Sequence, residues 1–451
     1  MIPVVTPAEM RAIDAAAPEP VEELVDRAGA AVARVARTML GGTYGRVVNV
    51  IAGPGNNGAD GRVAADRLDA RGVKVRVFDV DNSPAVLPPS DLVIDAAFGT
   101  GFHGVWKAPA IGDAMVLAVD IPSGVDGNTG AAGPGTLGAD VTVTFAAAKP
   151  GLYFGKGREL AGDIRVVDIG LDVSSATVHV VEASDVSRWI GHRVADAHKW
   201  AQAVRVVAGS SGMTGAAHLV TAAAQRAGAG MVHVSSPGVE GNAPIEAVSR
   251  RIPAFDWADA VLNDLYRFHA LVVGPGLGRG DHTVPSVTKL VIDAIVPVVV
   301  DGDGLFALAW NEHGAPTMLR SREVPTILTP HDGEYALLTG HRPGADRLAA
   351  ARQLAADTGA TVLLKGPTSV VASPEGLVRL VVNGDQRLAT AGTGDVLAGI
   401  IGAVAASGVD VLTAGAAGAW LHASAASYGP LRGFVASDLL EHLPDALAAL
   451  G

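Results

Sequence analysis

Val47-Val48-Asn49-Val50-Ile51-Ala52 runs directly into Gly53-Pro54-Gly55-Asn56-Asn57-Gly58-Ala59-Asp60-Gly61. The first six residues predict a buried strand, and helical spacing from Ala59 to Ala70 precedes a second strand at Val73–Val80. A strand, a glycine-rich turn, a helix and a further strand are typical of a doubly wound parallel sheet. The G-x-G-x-x-G spacing, with Asp79 about 20 residues later, is also compatible with a dinucleotide-binding loop. The paired asparagines favour a polar ligand and a hard cation instead, because amide oxygens suit both.

Carboxylates end two later strands of the first half. Leu92-Val93-Ile94-Asp95 precedes a glycine-rich turn, and Val116-Leu117-Ala118-Val119-Asp120 precedes Ile121-Pro122-Ser123-Gly124. Ligands of doubly wound sheets lie beyond the carboxyl ends of the strands, so Asp95 and Asp120 are candidate site residues. Helix capping by these two aspartates is the structural alternative.

The second half shows the same alternation of strands and helices with a different sequence. Its strands are predicted at Val204–Ala208, Met231–Ser235, Ala270–Val273, Pro297–Val300, Thr326–Leu328 and Thr361–Leu364. A chain of 451 residues is too long for one ordinary core. We therefore expect two α/β domains, residues 1–190 and residues 191–451.

Gly392-Thr393-Gly394-Asp395 leads into the apolar run Val396-Leu397-Ala398-Gly399-Ile400-Ile401. The run predicts a helix whose N-terminus directs free N–H groups and a positive dipole at an anion, and the glycines let a phosphate approach. Asp395 falls in the first turn, beside any hydroxyl group that meets the phosphate. The segment therefore indicates phosphoryl chemistry with Asp395 as candidate base. A tight turn with Asp395 as helix N-cap is the alternative.

Four other loops of the second half follow predicted strands, namely Gly209–Ala217, Gly274–Gly278, Thr329–Glu334 and Lys365–Ser369. The P-loop pattern Gly-x-x-x-x-Gly-Lys-Ser/Thr is absent from the chain. Lys365 is a candidate to bind a nucleotide phosphate as a point charge. In the alternative, it is only a solvent-exposed lysine at the end of a strand. His331 and Glu334 fit a substrate loop better than a zinc site, which would need a third ligand.

The composition of the chain excludes several classes of partner and chemistry. The net charge of −12 argues against a nucleic acid or an anionic membrane as the main partner. The absence of cysteine excludes disulfides, thiolate nucleophiles and cysteine-ligated metals. We expect a cytoplasmic protein, because the sequence begins without an export signal and contains no apolar span of membrane length. We also expect a homo-oligomer, because apolar sheets and helices as extensive as these often pair between copies of a chain.

The loops of the first half together resemble the NAD(P)H-hydrate epimerase family, over Gly53–Gly61, Asp95–Gly101, Val119–Gly124 and Thr142–Gly151. This resemblance implies a Rossmann-like domain that binds a hydrated nicotinamide nucleotide through Asn56, Asn57, Gly58, Ala59, Asp60, Gly99, Thr100, Gly101, Phe102, His103, Gly104 and Val105. It also implies K⁺ at Asn57, Asp95 and Ser123, and Asp120 as an acid or base at the nicotinamide ring. Ala59 stands where the family usually has glycine, so Ala59 must keep a negative φ.

From about His198 to the C-terminus the chain resembles the ADP- or ATP-dependent NAD(P)H-hydrate dehydratase family, of the ribokinase-like group. The resemblance lies in Gly215–Ala217, Gly274–Gly278, Thr329–Glu334, Lys365–Ser369 and Ala391–Gly399. It implies that the hydrate is bound by Ala216, Gly276, His331 and Asp395, and the adenine nucleotide by Lys365, Gly366, Pro367, Thr368, Ser369 and Gly394. His198-Lys199 matches a family dipeptide, but Trp200 replaces the usual continuation and leaves the role of Lys199 open.

Together the two resemblances predict one bifunctional enzyme. It would interconvert the R and S hydrates of NADH and NADPH, and would dehydrate the S hydrate with ADP or ATP as phosphate donor. Mg²⁺ is expected from phosphoryl transfer, with Asp301 and Asp303 reaching it through water. The alternative enzyme is a ribokinase-like kinase of a vitamin precursor alcohol with an accessory ligand-binding N-terminal domain. In a further alternative, the first domain is a binding module with a vestigial pocket.

Overall fold

The computed structural model describes residues 1–102, 104, 106–191, 196–240 and 242–451. The chain divides into two compact units, Ile2–His179 and Val180–Gly451, the second of which also includes Met1. The division follows residue 179, whereas the predicted domain boundary follows residue 190. Both units are α/β.

The elements of the N-terminal unit are β1 (Ile2–Val4), α1 (Pro7–Ala16), α2 (Val21–Leu40), β2 (Val47–Ala52), α3 (Asn56–Asp69), β3 (Lys74–Asp79), β4 (Leu92–Ala96), β5 (Met115–Val119), β6 (Val141–Phe145), α4 (Gly157–Leu160) and β7 (Asp163–Val167). Strand β8 (Val178–Val180) contains the division between the units. Six strands form a parallel sheet in the order β3-β2-β4-β5-β6-β7. The chain crosses back over β2 to reach β4, so the strand order reverses between these two strands. The loops that follow β2 and β4 therefore diverge there and leave a crevice for a ligand.

Gly53, the residue after β2, shows how closely these two loops approach. A Cβ atom on Gly53 would lie 1.8 Å from the Ala97 carbonyl oxygen, so only glycine fits. The Gly53 N–H also donates to the Ala96 carbonyl oxygen at 3.0 Å. The glycine-rich loop is therefore held directly against the end of β4.

The elements of the C-terminal unit are α5 (Ala183–Trp189), β9 (Ala203–Val207), α6 (Thr214–Arg226), β10 (Met231–Ser235), β11 (Val248–Ser249), α7 (Ala258–Leu262), β12 (Ala270–Val273), α8 (Thr283–Asp293), β13 (Val298–Val300), α9 (Asp303–Ala309), α10 (Gly314–Arg320), β14 (Thr326–Leu328), α11 (Asp332–Thr339), α12 (Arg347–Thr358), β15 (Thr361–Leu364), β16 (Ser369–Ala372), β17 (Val378–Val381), α13 (Thr393–Ala405), α14 (Val411–Tyr428) and α15 (Ala436–Ala448). Nine strands follow the order β17-β16-β15-β14-β13-β12-β9-β10-β11. The strands from β9 to β15 pair in parallel, and β16 and β17 pair antiparallel. The switch in strand order falls between β9 and β12.

Helix α13 is buried along its whole apolar run and packs against α6, α14 and the sheet. A Cβ atom on Gly399 would lie 2.2 Å from the Val220 carbonyl oxygen of α6, so the two helix backbones are nearly in contact. Among the helices in the described ranges, none combines the length and the apolar character needed to cross a bilayer.

Candidate active sites

A cavity of about 790 Å³ opens at the strand-order switch of the N-terminal unit. Its lining comes in part from five places: Asp14 of α1, Asn56, Asn57 and Asp60 of α3, the turn Gly99, Thr100, Gly101 and Phe102 after β4, Asp120 after β5, and Lys149 after β6. Apolar residues of α2 complete the wall. We call this space the N-terminal cavity. Its size and mixed lining suit a ligand as large as a nucleotide.

Helix α3 begins at Asn56, three residues before the predicted start, with Gly55 as its N-cap. Asn56 and Asn57 therefore sit in the first helical turn, where backbone N–H groups are free for an anion. Gly58 and Ala59 occupy the same turn without lining the cavity. Ala59 is helical and donates its N–H to Gly55 at 3.0 Å, which confirms that it keeps a negative φ.

The loop after β4 turns back on itself through aromatic contacts. The rings of Phe98 and Phe102 stack with centroids 4.1 Å apart, and the edge of Trp106 meets Phe98 at 5.2 Å. Gly104 lies beside the Phe102 ring and outside the cavity lining. His103 and Val105, which were also predicted to bind substrate, lie outside the described residues.

Asp120 lies at the end of β5 in a strained left-handed conformation, with φ of 67°. Its Oδ1 atom lies 2.6 Å from the buried Lys149 Nζ and accepts a hydrogen bond from Thr144 Oγ1 at 3.1 Å. A Cβ atom on Gly99 would lie 3.4 Å from the other oxygen, Oδ2. Asp120 is thus a paired carboxylate with one oxygen turned toward the glycine loop, and not a helix cap. Sequence reasoning gave Lys149 no role, because nothing local marks it as a partner of Asp120.

Asp60 has a different environment in the same cavity. Its side chain is buried and, among the described residues, forms no hydrogen bond or ion pair. Burial, with the charges of Asp120 and Asp14, raises the pKa of Asp60 to about 8. Asp14 also has a raised pKa, owing to burial and to Asp120, against an opposing effect of Lys149. Asp60 is therefore mostly protonated at neutral pH.

Asp95 and Ser123 lie behind the cavity wall and bind each other. Ser123 donates to Asp95 through its hydroxyl at 2.6 Å and through its backbone N–H at 2.9 Å, and burial raises the pKa of Asp95. The Ser123 hydroxyl also accepts the Phe98 N–H at 2.9 Å. In the described part of the chain, both polar side-chain atoms of Asn57 are buried without a partner. Asp95 therefore does not cap a helix, and the Asn57 amide is left to bind something else.

A second cavity, of about 370 Å³, opens at the strand-order switch of the C-terminal unit. Met213 and Ala216 line it from the loop after β9 and from α6, Gly276 from the loop after β12, Asp303 from α9, and Asp395 from α13. We call this space the C-terminal cavity. Three of the predicted hydrate-binding residues, Ala216, Gly276 and Asp395, thus meet in one place.

The first turn of α13 points into this cavity. Gly392 is the N-cap, with φ of 89°, and Asp395 is the third helical residue. The alternative in which Asp395 serves as the N-cap is therefore wrong. Asp395 lines the cavity from the same turn that carries the free N–H groups, so base and anion donors lie next to each other, as phosphoryl chemistry requires.

Lys365 is held next to that turn by two carboxylates. Its Nζ atom lies 2.7 Å from Asp301 Oδ1 and 3.7 Å from Glu334 Oε2. A Cβ atom on Gly394 would lie 3.4 Å from the same Nζ atom, so the lysine lies directly beside the helix N-terminus. Burial opposes the charge of Lys365, but Asp301 and Glu334 outweigh it and raise the pKa of the amine. Lys365 is therefore a fixed cation and not a solvated strand end.

Asp395 itself, among the described residues, has no hydrogen bond or ion pair. Burial and the charge of Asp301 raise its pKa to about 7, with Asp303 and Glu334 adding to the effect and Lys365 opposing it. A carboxyl group with such a pKa can accept a proton near neutral pH and release it again, which is what a general base requires.

The other predicted nucleotide residues form the turn after Lys365. Gly366, Pro367 and Thr368 connect β15 to β16, and Ser369 is the first residue of β16. Arg347 lies beneath this turn, because it donates to the Lys365 carbonyl oxygen at 2.7 Å. Sequence reasoning did not single out Arg347, which precedes the turn by 18 residues.

His331 is placed differently from the other predicted hydrate residues. It is the N-cap of α11, where its Nδ1 atom accepts the Gly333 N–H at 2.9 Å and Glu334 accepts the His331 N–H at 2.9 Å. Its ring is exposed and does not line the C-terminal cavity. Lys199 precedes β9, so it lies toward the amino edge of the sheet, away from the cavity.

His422 of α14 is a buried residue that the sequence did not indicate. Its Nε2 atom lies 2.9 Å from the carbonyl oxygen of Thr393, the first residue of α13. Burial lowers the pKa of His422 to about 4, so the ring is neutral and donates this hydrogen bond at neutral pH. His422 therefore supports the helix end that faces the cavity.

Two doubly wound units, each with carboxyl groups in a cavity at its switch point, define a two-domain α/β enzyme with two small-molecule sites. Residues 204–447 match the family described as NAD(P)H-hydrate dehydratase, and residues 21–86 and 79–151 match the one described as YjeF-related protein N-terminus. A bifunctional NAD(P)H-hydrate repair enzyme of Moorella thermoacetica is 35% identical, over 99% of this chain and 97% of its own. The one from Mycobacterium leprae is 37% identical, over 91% of this chain and 90% of its own.

A solved structure is similar to the C-terminal unit. The ADP/ATP-dependent NAD(P)H-hydrate dehydratase of Bacillus subtilis, co-crystallised with ATP and Mg²⁺, is 28% identical with a TM-score of 0.50, and the match covers 60% of this chain and 98% of that one. The chain belongs to the bifunctional NAD(P)H-hydrate repair enzymes, with an epimerase half and a dehydratase half. The alternative of a vitamin-precursor kinase is weaker, because it leaves the match of the N-terminal half unexplained.

Proposed function

We propose that residues 1–190 interconvert the R and S hydrates of NADH and NADPH, and that residues 191–451 dehydrate the S hydrate with ADP or ATP. Asp395 lines the C-terminal cavity from the first turn of α13, and Lys365 Nζ lies beside the same turn; this juxtaposition is the observation that carries the second assignment. These are the base, the cation and the anion hole that phosphoryl transfer to a hydroxyl group needs.

In the dehydratase half, Asp395 takes the proton of the ring hydroxyl while its oxygen attacks the terminal phosphorus of the nucleotide. The new O–P bond forms as the bond from phosphorus to the leaving phosphate oxygen breaks. The N–H groups of Gly392–Gly394 and the charge of Lys365 stabilise the transferred group. Phosphate then leaves with the C–O electron pair while the adjacent carbon loses a proton to water, and the C–H electron pair forms the double bond that restores the dihydronicotinamide. Phosphate is a far better leaving group than hydroxide, so the nucleotide drives the elimination.

Mg²⁺ fits this site through water and phosphate, not through direct protein ligands. Asp301 already binds Lys365, and Asp303 accepts the Gly278 N–H at 2.8 Å and lies 2.9 Å from Arg279 Nε. Both carboxylates can therefore reach the ion only through its water, as is common for Mg²⁺ on nucleotides. When bound, the ion neutralises charge on the transferred phosphate.

K⁺ fits the N-terminal unit at Asn57, Asp95 and Ser123. The Asn57 side-chain oxygen is buried without a partner, and Asp95 and Ser123 supply oxygens behind the same loop. The ion would offset the charge of Asp95 and attract the substrate phosphates. In the N-terminal cavity, Asn56, Asp60 and residues 99–102 would hold the hydrate, and Asp120 would exchange a proton with it.

The test mixes the purified chain with hydrated NADH and ADP or ATP and follows the return of absorbance at the dihydronicotinamide band. Recovery of both epimers supports the two activities. Asp120→Asn should slow recovery of the R hydrate alone, because only that hydrate must pass through the N-terminal cavity. Permanently phosphorylated hydrate without recovery of NADH would instead indicate a kinase. Sedimentation velocity on the same sample tests the proposal of a homo-oligomer.

A further inference from the structure

Asp60 is a buried carboxyl group whose place in the reaction is open, beyond its position among the residues that hold the hydrate. It lines the N-terminal cavity, is 7% exposed, and has neither a cation nor a hydrogen-bond donor beside its carboxyl group among the described residues. A buried carboxyl group without such partners is costly to ionise, so it keeps its proton.

Asp120 lines the same cavity and has the partners that Asp60 lacks. Its Oδ1 atom lies 2.6 Å from Lys149 Nζ and accepts a hydrogen bond from the Thr144 hydroxyl at 3.1 Å. Among the described residues, the cavity therefore holds one carboxyl group with a cation and a donor beside it and one with neither. Two carboxyl groups in such different environments are suited to act as acid and base in one reaction.

The sheet places the two carboxyl groups on different walls. Asp60 belongs to the helix that follows β2, and Asp120 follows β5, with β4 between those strands. Both carboxyl groups therefore face one cavity from separate elements, as residues that act on the two faces of a bound ring must.

Epimerisation of a hydrate requires attack on both faces of one ring carbon. Water added to an enamine places its hydroxyl on the carbon bonded to nitrogen, so the hydroxyl can leave again with help from the nitrogen lone pair. Inversion then needs an acid where the hydroxyl departs and a base where a new water arrives.

We propose that Asp60 is the second acid–base residue of the epimerase and acts opposite Asp120, an inference that rests on the proposed epimerase function. Asp60 gives its proton to the ring hydroxyl, and the C–O bond breaks with its electron pair leaving as water, while the nitrogen lone pair forms a C=N bond. On the other face Asp120 takes a proton from water, the water oxygen bonds to the carbon, and the C=N π pair returns to nitrogen. One water leaves and one enters. In the reverse epimerisation the two carboxyl groups exchange roles. During repeated turnover in one direction, Asp120 releases its proton to solvent and Asp60 takes one up from solvent.

Asp60→Asn keeps the shape of the neutral acid and removes its transferable proton. With pure R hydrate and ADP, we expect NADH recovery by this variant to fall at least about 100-fold, to the spontaneous rate. With pure S hydrate, recovery should stay within about twofold of the wild type, because the dehydratase half is untouched. The matched control is Asp66→Asn, an exposed aspartate of the same helix, which should leave both rates unchanged.

The pH profile of the wild type gives a second measurement that needs no buried substitution. Among the described residues, the charged groups facing Asp60 are Asp14 from α1 and Asp120 from the loop after β5. Lys149 faces these two aspartates, whereas α2 lines the cavity with apolar residues. Conversion of R to S should fall as pH rises through about 8, where Asp60 loses its proton. Asp14→Asn removes one of the charges that raise this pKa, so the fall should move to lower pH.

The outcomes separate the inference from the function on which it rests. If the wild type does not convert R hydrate, the proposed epimerase function fails. If the wild type converts it and Asp60→Asn does so at more than about one tenth of that rate, Asp60 has no acid–base role. A profile that is flat between pH 7 and 9 would overturn the inference even if Asp60→Asn failed to fold.

Discussion

Replacing Asp395 with asparagine tests the base of the dehydratase directly. Asparagine keeps the size of the side chain but cannot take a proton from the hydrate. General-base catalysis contributes about 10²- to 10⁴-fold to a rate, which is about 3 to 5 kcal/mol of transition-state stabilisation. We expect kcat for the S hydrate to fall by that factor. The KM for the nucleotide should stay the same or decrease, because the substitution removes a negative charge beside the phosphates.

The pKa of Asp395, about 7, also determines how the rate of dehydration depends on pH. The base acts only when ionised, and roughly one tenth of it is ionised at pH 6 and nine tenths at pH 8. Dehydration by the wild type should therefore rise nearly tenfold between these values. Asp301, Asp303, Glu334 and Lys365 are the charged groups that face Asp395, and their balance places the rise near neutral pH. Asp395→Asn should remove the rise.

The assay uses purified S hydrate at saturating concentration and follows the dihydronicotinamide band, with the spontaneous reaction subtracted. Asp438→Asn is the matched control, since Asp438 is likewise the third residue of its helix, α15, but is half-buried, caps that helix and lies outside the C-terminal cavity lining. It should leave kcat and the profile unchanged. A loss of less than tenfold in Asp395→Asn, or a wild-type profile that is flat from pH 6 to 8, would refute the assignment of the base.

Three further predictions concern the surrounding groups. Lys365→Met should raise the nucleotide KM at least about tenfold, because the phosphates lose a cation; initial rates measure this. It should also lower the free energy of unfolding by about 3 kcal/mol, because it leaves Asp301 buried without its cation; urea unfolding measures this. Asn57→Ala should raise the K⁺ concentration needed for half-maximal epimerisation while dehydration stays unchanged, as a K⁺ titration against Na⁺ would show. His422→Leu should lower kcat of dehydration about tenfold, because the Thr393 carbonyl loses its buried donor, and His422→Gln should restore most of it if the donor is what matters.

Each of these predictions has a control or an outcome that would contradict it. Lys289→Met breaks an exposed ion pair with Asp259 and should change the free energy of unfolding by less than about 1 kcal/mol. Equal losses in Lys289→Met and Lys365→Met would contradict the special role of Lys365. An unchanged K⁺ requirement in Asn57→Ala would remove Asn57 from the proposed ion site. Equal rates for His422→Leu and His422→Gln would show that His422 only fills space.

The strands and the main loops could be predicted because their signals are local. β2, β10, β12, β14 and β15 have the bounds that apolar runs between turns indicate. The start of α3 was placed three residues too late, because Asn56 and Asn57 are poor helix formers that tertiary structure nevertheless places in a first turn. The hairpin of β16 and β17 was not predicted, since its strands have only four residues each.

The partners of the site residues could not be predicted, because they are distant in sequence. Asp120 and Lys149 are 29 positions apart, and Lys365 and Asp301 are 64 apart. Nothing near Asp120 indicates its positive φ, which follows from the fit of the loop after β5. The chemistry-bearing residues were thus identified from their own loops, whereas the groups that set their protonation needed the folded chain.

The near contact between the backbones of α13 and α6 at Gly399 has a thermodynamic consequence for nucleotide binding. Dispersion contacts at such short range weaken steeply with small displacements, so α13 has no neighbouring position of similar energy. The oxyanion donors at its start are consequently in place before any ligand arrives. Association should then lose little conformational entropy in this helix, and calorimetry of nucleotide binding should show a modest ordering penalty.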